Sequence, residues 1–196
     1  MKKTLALALA LAAAPFAASA ANGVSHTYVE GGFTRLDANT SSVFGGDTNF
    51  DGGYVRGSYA FGGSYYVFGG LSRATNDDFG SDIDLDEQHV GIGWAMPVSD
   101  RAEFNAEIGY LRQSIEALGE SDHGEGARAS AGFRAAFNPS FEGWIKANYN
   151  DAGDFDGDWS GTLGAQVKIN PTWGIVAELE NGDGYNQYNV GVRASF

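Results

Sequence analysis

The chain ends in Tyr185-Asn186-Gln187-Tyr188-Asn189-Val190-Gly191-Val192-Arg193-Ala194-Ser195-Phe196, and this stretch decides how the rest is read. One parity carries Asn186, Tyr188, Val190, Val192, Ala194 and Phe196; the other carries Gln187, Asn189, Gly191, Arg193 and Ser195. A period of two is the signature of a strand whose faces meet different surroundings. The same division recurs upstream. In 159–169, Trp159, Gly161, Leu163, Ala165, Val167 and Ile169 oppose Ser160, Thr162, Gly164, Gln166 and Lys168. In 125–137, Ala127, Ala129, Ala131, Phe133, Ala135 and Phe137 oppose Arg128, Ser130, Gly132 and Arg134. Val90, Ile92, Trp94 and Met96 oppose His89, Gly91, Gly93 and Ala95, while Phe104, Ala106, Ile108 and Tyr110 oppose Glu103, Asn105 and Glu107. The first three segments are less regular but agree.

Breaks separate these runs, and they alternate in length. Short ones are Gly62-Gly63-Ser64, Pro97-Val98-Ser99-Asp100, Asn138-Pro139-Ser140 and Asn170-Pro171-Thr172, each with Gly or Pro in turn context. Long ones fall near 37–50, 75–86, 116–124, 151–158 and 181–184 and are rich in Asp, Gly, Ser and Asn. The segments between are 25–36, 51–61, 65–74, 87–96, 102–115, 125–137, 141–150, 159–169, 173–180 and 185–196. Their length matches the roughly 9–11 tilted residues with which a strand crosses a bilayer. Tight turns alternating with longer loops complete the pattern of an all-β, antiparallel, up-and-down transmembrane barrel. Ten strands are expected, with both termini on the periplasmic side; eight is the alternative should a short segment such as 173–180 not span.

A soluble barrel or sandwich would alternate too, with its apolar residues inward. The terminal Phe196, charges in mid-strand, and aromatics beside the breaks (Phe61, Tyr65, Phe137, Phe141, Trp159, Trp173) favour the inside-out form, with interfacial girdles. Mean hydropathy is only −0.24, and no stretch after residue 20 reaches the roughly 18 apolar residues of a membrane helix. Alternating strands average out in such a measure. The abundant Gly, 29 residues without a G-X-Y period, suits close packing in strands. There is no cysteine, so a disulfide framework is excluded.

The first twenty residues read as a targeting segment. Lys2 and Lys3 precede an apolar run from Leu5 to Phe16 that only Pro15 interrupts, and Ala18-Ser19-Ala20 offers small residues for cleavage. Cleavage after Ala20 is expected, with 21–196 as the barrel domain. No cysteine follows that site, so lipoprotein anchoring is excluded.

The tail Tyr188 to Phe196 resembles the C-terminal strand by which bacterial outer-membrane proteins are recognised for barrel assembly. That resemblance implies Phe196 as the assembly signal and the barrel-assembly machinery as a partner. The chain is also similar to the small outer-membrane barrels common in xanthomonad Gram-negative bacteria, and in general architecture to the OmpX/OmpA-like class. The matching stretches are Arg56-Gly57-Ser58-Tyr59 with Phe61, Ala131-Gly132-Phe133-Arg134 with Ala136-Phe137, and Gly164-Ala165-Gln166-Val167-Lys168-Ile169-Asn170 followed by Trp173-Gly174. The resemblance implies an outer-membrane location and links to surface traits such as motility, biofilm formation and host interaction; a structural or surface-interaction role, in membrane integrity, adhesion, biofilm or host contact, is expected. It carries no catalytic residue.

Parity fixes which charges face the lumen. The basic set is Arg56, Arg128, Arg134, Lys146, Lys168 and Arg193; the acidic set is Glu30, Glu103, Glu107, Glu142 and Glu178. Buried charges must pair or stay hydrated, and a small barrel has an interior that side chains can fill. An ion-pair network closing the lumen is expected, with a narrow porin-like channel as the alternative. Arg35, Arg73 and Arg112 break parity on the lipid side near loop-proximal strand ends. There a guanidinium could grip lipopolysaccharide phosphates or simply snorkel.

The net charge of −13 excludes a nucleic-acid partner, which needs a basic face. The excess acid is assigned to loops: Asp77, Asp78, Asp82, Asp84, Asp86 and Glu87, and Asp151, Asp154, Asp156 and Asp158. Such clusters suit solvated loops, or Ca²⁺ bridging to lipid, but lack the spacing and closing Glu of an EF-hand. The histidines are His26 near the periplasmic start, His89 facing the lumen, and His123 beside Asp122 on a loop. No nucleophile elbow, phosphate cradle or metal motif accompanies them, so no catalytic residue, cofactor or metal is expected. A monomer, with an external ligand at the loops left open, completes the expectation.

Overall fold

The computed structural model describes residues 24–39, 47–76, 83–117, 120–151 and 157–196. The signal segment expected in 1–20, and the acidic residues Asp77, Asp78, Asp82, Asp154 and Asp156, lie outside them. Ten strands form the chain: β1 (Tyr28–Asn39), β2 (Asp47–Phe61), β3 (Tyr65–Asn76), β4 (Ile83–Ser99), β5 (Ala102–Ala117), β6 (Glu120–Asn138), β7 (Phe141–Asp151), β8 (Asp158–Lys168), β9 (Trp173–Gly182) and β10 (Tyr185–Ser195). Each pairs antiparallel with its neighbours in sequence, and β1 pairs with β10, from Tyr28 opposite Ser195 to Ala38 opposite Tyr185, so the sheet closes. Closure removes the unpaired edges that lipid could not satisfy. The eight-strand alternative fails because 173–180 forms a complete strand, paired on both sides.

Side chains alternate between two surroundings in an inverted sense. Leu71 is 61% exposed and Leu163 60%, whereas Glu30 and Gln166 are each 1% exposed. A soluble barrel would reverse this. The outward surface is a continuous band of Val, Ile, Leu and aromatic residues, so the solvent it fits is hydrocarbon. The aromatics beside the turns lie on it, with Phe61 near Tyr65, and Phe137 stacked on Phe141 at 5.5 Å.

Several expected boundaries are corrected, since β2 starts at Asp47 and β4 runs from Ile83 to Ser99, inside stretches read as breaks. The strand placed at 25–36 starts at Tyr28, because residues 24–27 leave the sheet. The break at 116–124 is mostly strand: β5 runs to Ala117 and β6 begins at Glu120. Polar outward residues there (Arg112, Ser114, Glu116, Glu125) do not need lipid, so the ladder continues beyond it. The break at 181–184 is a tight hairpin turn at Asp183-Gly184, where Gly184 adopts φ 74°.

Candidate functional site in the lumen

The lumen is filled in tiers, starting at the mouth where both chain ends and the short turns lie. Ser25, His26 and Thr27 turn inward across it rather than extending β1. Ser25 Oγ donates to the Phe196 carbonyl at 2.7 Å, and the Phe196 amide donates to the Thr27 carbonyl at 2.9 Å. Arg134 Nη1 reaches the Ser25 carbonyl at 3.2 Å. His26 stacks on Tyr66 at 4.2 Å between ring centres, and its Nε2 lies 2.5 Å from Glu103 Oε1 on β5. Arg134 also grips Glu142 at 2.6 Å, and Lys168 pairs with the same carboxylate.

The middle tier centres on Glu30. Its side chain is fully buried and accepts from Arg193 at 2.6 Å, Arg56 Nε at 2.9 Å and the Tyr54 hydroxyl at 2.6 Å. Arg56 continues to Glu178 at 2.7 Å, which also accepts from the Trp144 indole at 2.8 Å. Arg193 lies over the Tyr28 ring at 4.1 Å. Register explains part of this: Glu30 stands opposite both Arg56 on β2 and Arg193 on β10. Beside this cluster, Glu107 accepts from Lys146 at 2.8 Å and from Tyr66 at 2.7 Å. Voids here are small, about 60 Å³ toward the mouth beside the chain ends and about 130 Å³ above it. The smaller one has room for roughly two waters.

In the loop-side tier Arg128 donates to Glu180 at 2.8 Å, and Glu180 also accepts from Ser160 at 2.8 Å and Tyr185 at 2.9 Å. Glu87 accepts from Gln113 at 3.1 Å, with His89 Nδ1 3.5 Å away. Glu87 was assigned to an acidic loop; it instead faces the lumen from β4, because the strand starts at Ile83 and puts it on the parity of His89. Asp84 and Asp86 likewise belong to β4, on its outward side.

Every residue assigned to the lumen network therefore projects inward: Glu30, Arg56, Glu103, Glu107, Arg128, Arg134, Glu142, Lys146, Lys168, Glu178 and Arg193. Glu87, Glu180, Trp144, Tyr54 and Tyr66 join them without having been assigned to the lumen. Parity held the signal for all five, since each lies two residues from a selected or lumen-facing position. The inward turn of His26 left no such signal.

Arg35, Arg73 and Arg112 project outward, each beside an acid on the same face. Arg35 binds Asp37 at 2.9 Å, Arg73 binds Asp86 at 2.5 Å, and Arg112 lies 3.7 Å from Glu125. His123 is exposed, and its backbone amide takes Asp122 Oδ1 at 2.9 Å. That carboxylate contact goes to the main chain, not to the imidazole.

No curated protein matches the sequence. Among solved structures, Ail, the attachment invasion locus protein of Yersinia pestis, is 13% identical, with 87% of this chain and 97% of that one covered and a TM-score of 0.45. Neisserial surface protein A is 16% identical, covering 88% and 98%, with a TM-score of 0.45. The KdgM porin is 12% identical, covering 86% and 99%, with a TM-score of 0.48. The family model of the outer membrane protein beta-barrel domain matches residues 4–196. With that match over nearly the whole length, the chain belongs to the outer membrane protein beta-barrel domain family.

Proposed function

We propose that this barrel is a closed, non-conducting protein of a Gram-negative outer membrane that acts structurally and through surface interactions. The observation that carries the reading is the burial of Glu30 between Arg56 and Arg193. These groups tie the neighbouring strands β10, β1 and β2 on the inner wall, and Arg56 reaches on to Glu178 on β9, three strands away around the barrel. Below them, residues 25–27 cover the periplasmic mouth. A conducting path would have to separate charges held at hydrogen-bond distance in a poorly hydrated interior, which is costly. The decisive experiment is planar-bilayer recording from the refolded barrel, with heat-modifiable gel mobility confirming the fold. A folded, silent barrel supports the closed lumen; reproducible unitary steps overturn it. The channel reading keeps one observation in its favour, the two polar voids stacked along the axis.

The same proposal covers location and partners. The chain is exported by cleavage after Ala20, so N-terminal sequencing of the membrane form should begin at Ala21. Phe196 serves as the assembly signal, lipid and lipopolysaccharide surround a monomer, and Arg35, Arg73 and Arg112 meet headgroup phosphates. With closed walls below, contact with surface partners falls to the loop side, in keeping with the biofilm and host-interaction links of the similar xanthomonad barrels.

A further inference from the structure

The loop-side end of the lumen is built unlike the middle. There β1, β3, β4 and β5 contribute inward apolar side chains, Leu36, Ala74, Leu85 and Ile115, above the polar Thr34, Ser72, Glu87 and Gln113. Register places Ala74 opposite Leu85, and Leu85 opposite Ile115, so these three form one patch, and Leu36, opposite Phe50 on β2, lines the same cavity. Lumen-facing apolar groups have no lipid to meet, and leaving them against water is unfavourable.

The facing wall, from β7 to β10, is rich in acceptors. Glu180 stands at its floor and Glu87 reaches the same level from β4; Arg128 is the neighbouring arginine and already donates to Glu180 at 2.8 Å. Asn150 Oδ1 is buried without a donor among the described residues, and so is Asn148 Oδ1 just below. The Asn148 amide nitrogen is occupied by Ser160 and Thr162, at 3.1 and 2.8 Å. Between the two walls lies a cavity of about 400 Å³, within the range of small-molecule sites.

We propose that this vestibule binds a small amphipathic cation, a primary ammonium on a short alkyl or aryl body. The ammonium supplies the donor that Asn150 Oδ1 lacks and a second positive charge beside Glu180 and Glu87, which share Arg128 as the neighbouring arginine. The hydrocarbon lies against Leu36, Ala74, Leu85 and Ile115. An anion would meet two carboxylates, Glu180 and Glu87, beside the one Arg128, and a purely apolar molecule would leave Asn150 Oδ1 unpaired. The site is reached from the loop side, so it stands whether or not the middle of the lumen conducts.

The test uses the full refolded barrel in phosphatidylcholine nanodiscs with Leu and Ile methyl labels. Three probes of similar shape are titrated: 2-phenylethylammonium, 2-phenylethanol and 3-phenylpropionate. Saturable shifts of the Leu85 and Ile115 methyls are expected with the ammonium, at least about tenfold weaker binding with the alcohol, and none with the carboxylate. Leu85→Ser should weaken ammonium binding by about tenfold, with gel mobility confirming the fold. Should that variant fail to fold, Asn150→Ala provides the second reading, with a similar loss. Equal shifts from all three probes, tightest binding of the carboxylate, or no saturable shift would overturn the proposal.

Discussion

Substituting Glu30→Gln should be among the most damaging single changes in the lumen, and the structure says by how much. The amide keeps the shape and can still accept from Tyr54, but it removes the negative charge. Arg56 retains Glu178 at 2.7 Å, so it keeps a counter-charge. Arg193 does not: Glu30 is the one carboxylate it pairs with among the described residues, its other polar contact being Gln166 at 3.4 Å. The residue is 3% exposed, so bulk water is kept from the lost partner's place. Removing one member of a buried pair costs about 3–5 kcal/mol. Urea unfolding in lipid vesicles, followed by tryptophan fluorescence and gel mobility, would measure it. The partner change Arg193→Gln leaves Glu30 with Arg56 and Tyr54, so a smaller loss of about 1–3 kcal/mol is expected. The double variant should then fall short of the summed losses by about 1 kcal/mol or more, the mark of direct coupling. A Glu30→Gln loss below about 1 kcal/mol, or strict additivity, would show a hydrated lumen and refute the closed interior.

Other predictions concern different parts of the molecule. The chain has no native cysteine, so His26→Cys reports on the mouth. It should react with a membrane-impermeant maleimide at least about tenfold more slowly than Asp100→Cys in the exposed turn, and equal rates would remove the plug formed by residues 25–27. At the closing seam, a Cβ on Gly32 would lie 2.2 Å from the Val190 carbonyl oxygen, whereas one on Gly161 meets nothing within 4 Å. Gly32→Ala should therefore cost about 2 kcal/mol or more and Gly161→Ala should be near neutral; similar refolding stabilities would contradict that register. Finally, the Arg35→Ala/Arg73→Ala/Arg112→Ala variant should melt like the parent in phosphatidylcholine but lose the stabilisation that added lipopolysaccharide gives. An undiminished gain would assign those arginines to Asp37, Asp86 and Glu125 alone.

The lipid-facing architecture was legible because lipid imposes a strict rule. Val190, Val192, Leu163 and Ile92 must all face one solvent, so a period of two survives in sequence, and it predicts the ten strands and the inward set from Glu30 to Arg193. The rule stops where the membrane does. Beyond it, Asp86, Arg112 and Glu125 can face water on either side of a ladder, so hydropathy could not distinguish strand from loop. For that reason Glu87 and the hairpin between β5 and β6 were misplaced. Glu180 was overlooked because it sits at a break, although Glu178 fixes its parity. The course of Ser25 to Thr27 follows from long-range partners, Phe196, Arg134 and Glu103, which no local pattern encodes.

The charge distribution ties these features together. In the lumen Arg56, Arg128, Arg134, Lys146, Lys168 and Arg193 nearly match their carboxylates, while the chain as a whole carries −13. The excess acid therefore lies outside the ion-paired interior, much of it at the loop side, where Asp84, Asp86, Asp122, Asp151 and Asp158 occur. Such a potential would draw cations toward that end from a distance. The apolar wall of Leu36, Ala74, Leu85 and Ile115 then selects among them, since a hydrated metal ion gains nothing from hydrocarbon while an alkyl or aryl ammonium does. Screening and burial should respond differently to salt: raising ionic strength should slow association of the ammonium probe yet leave its preference over a small inorganic cation intact. Loss of that preference at high salt would reduce the vestibule to a nonspecific acidic surface.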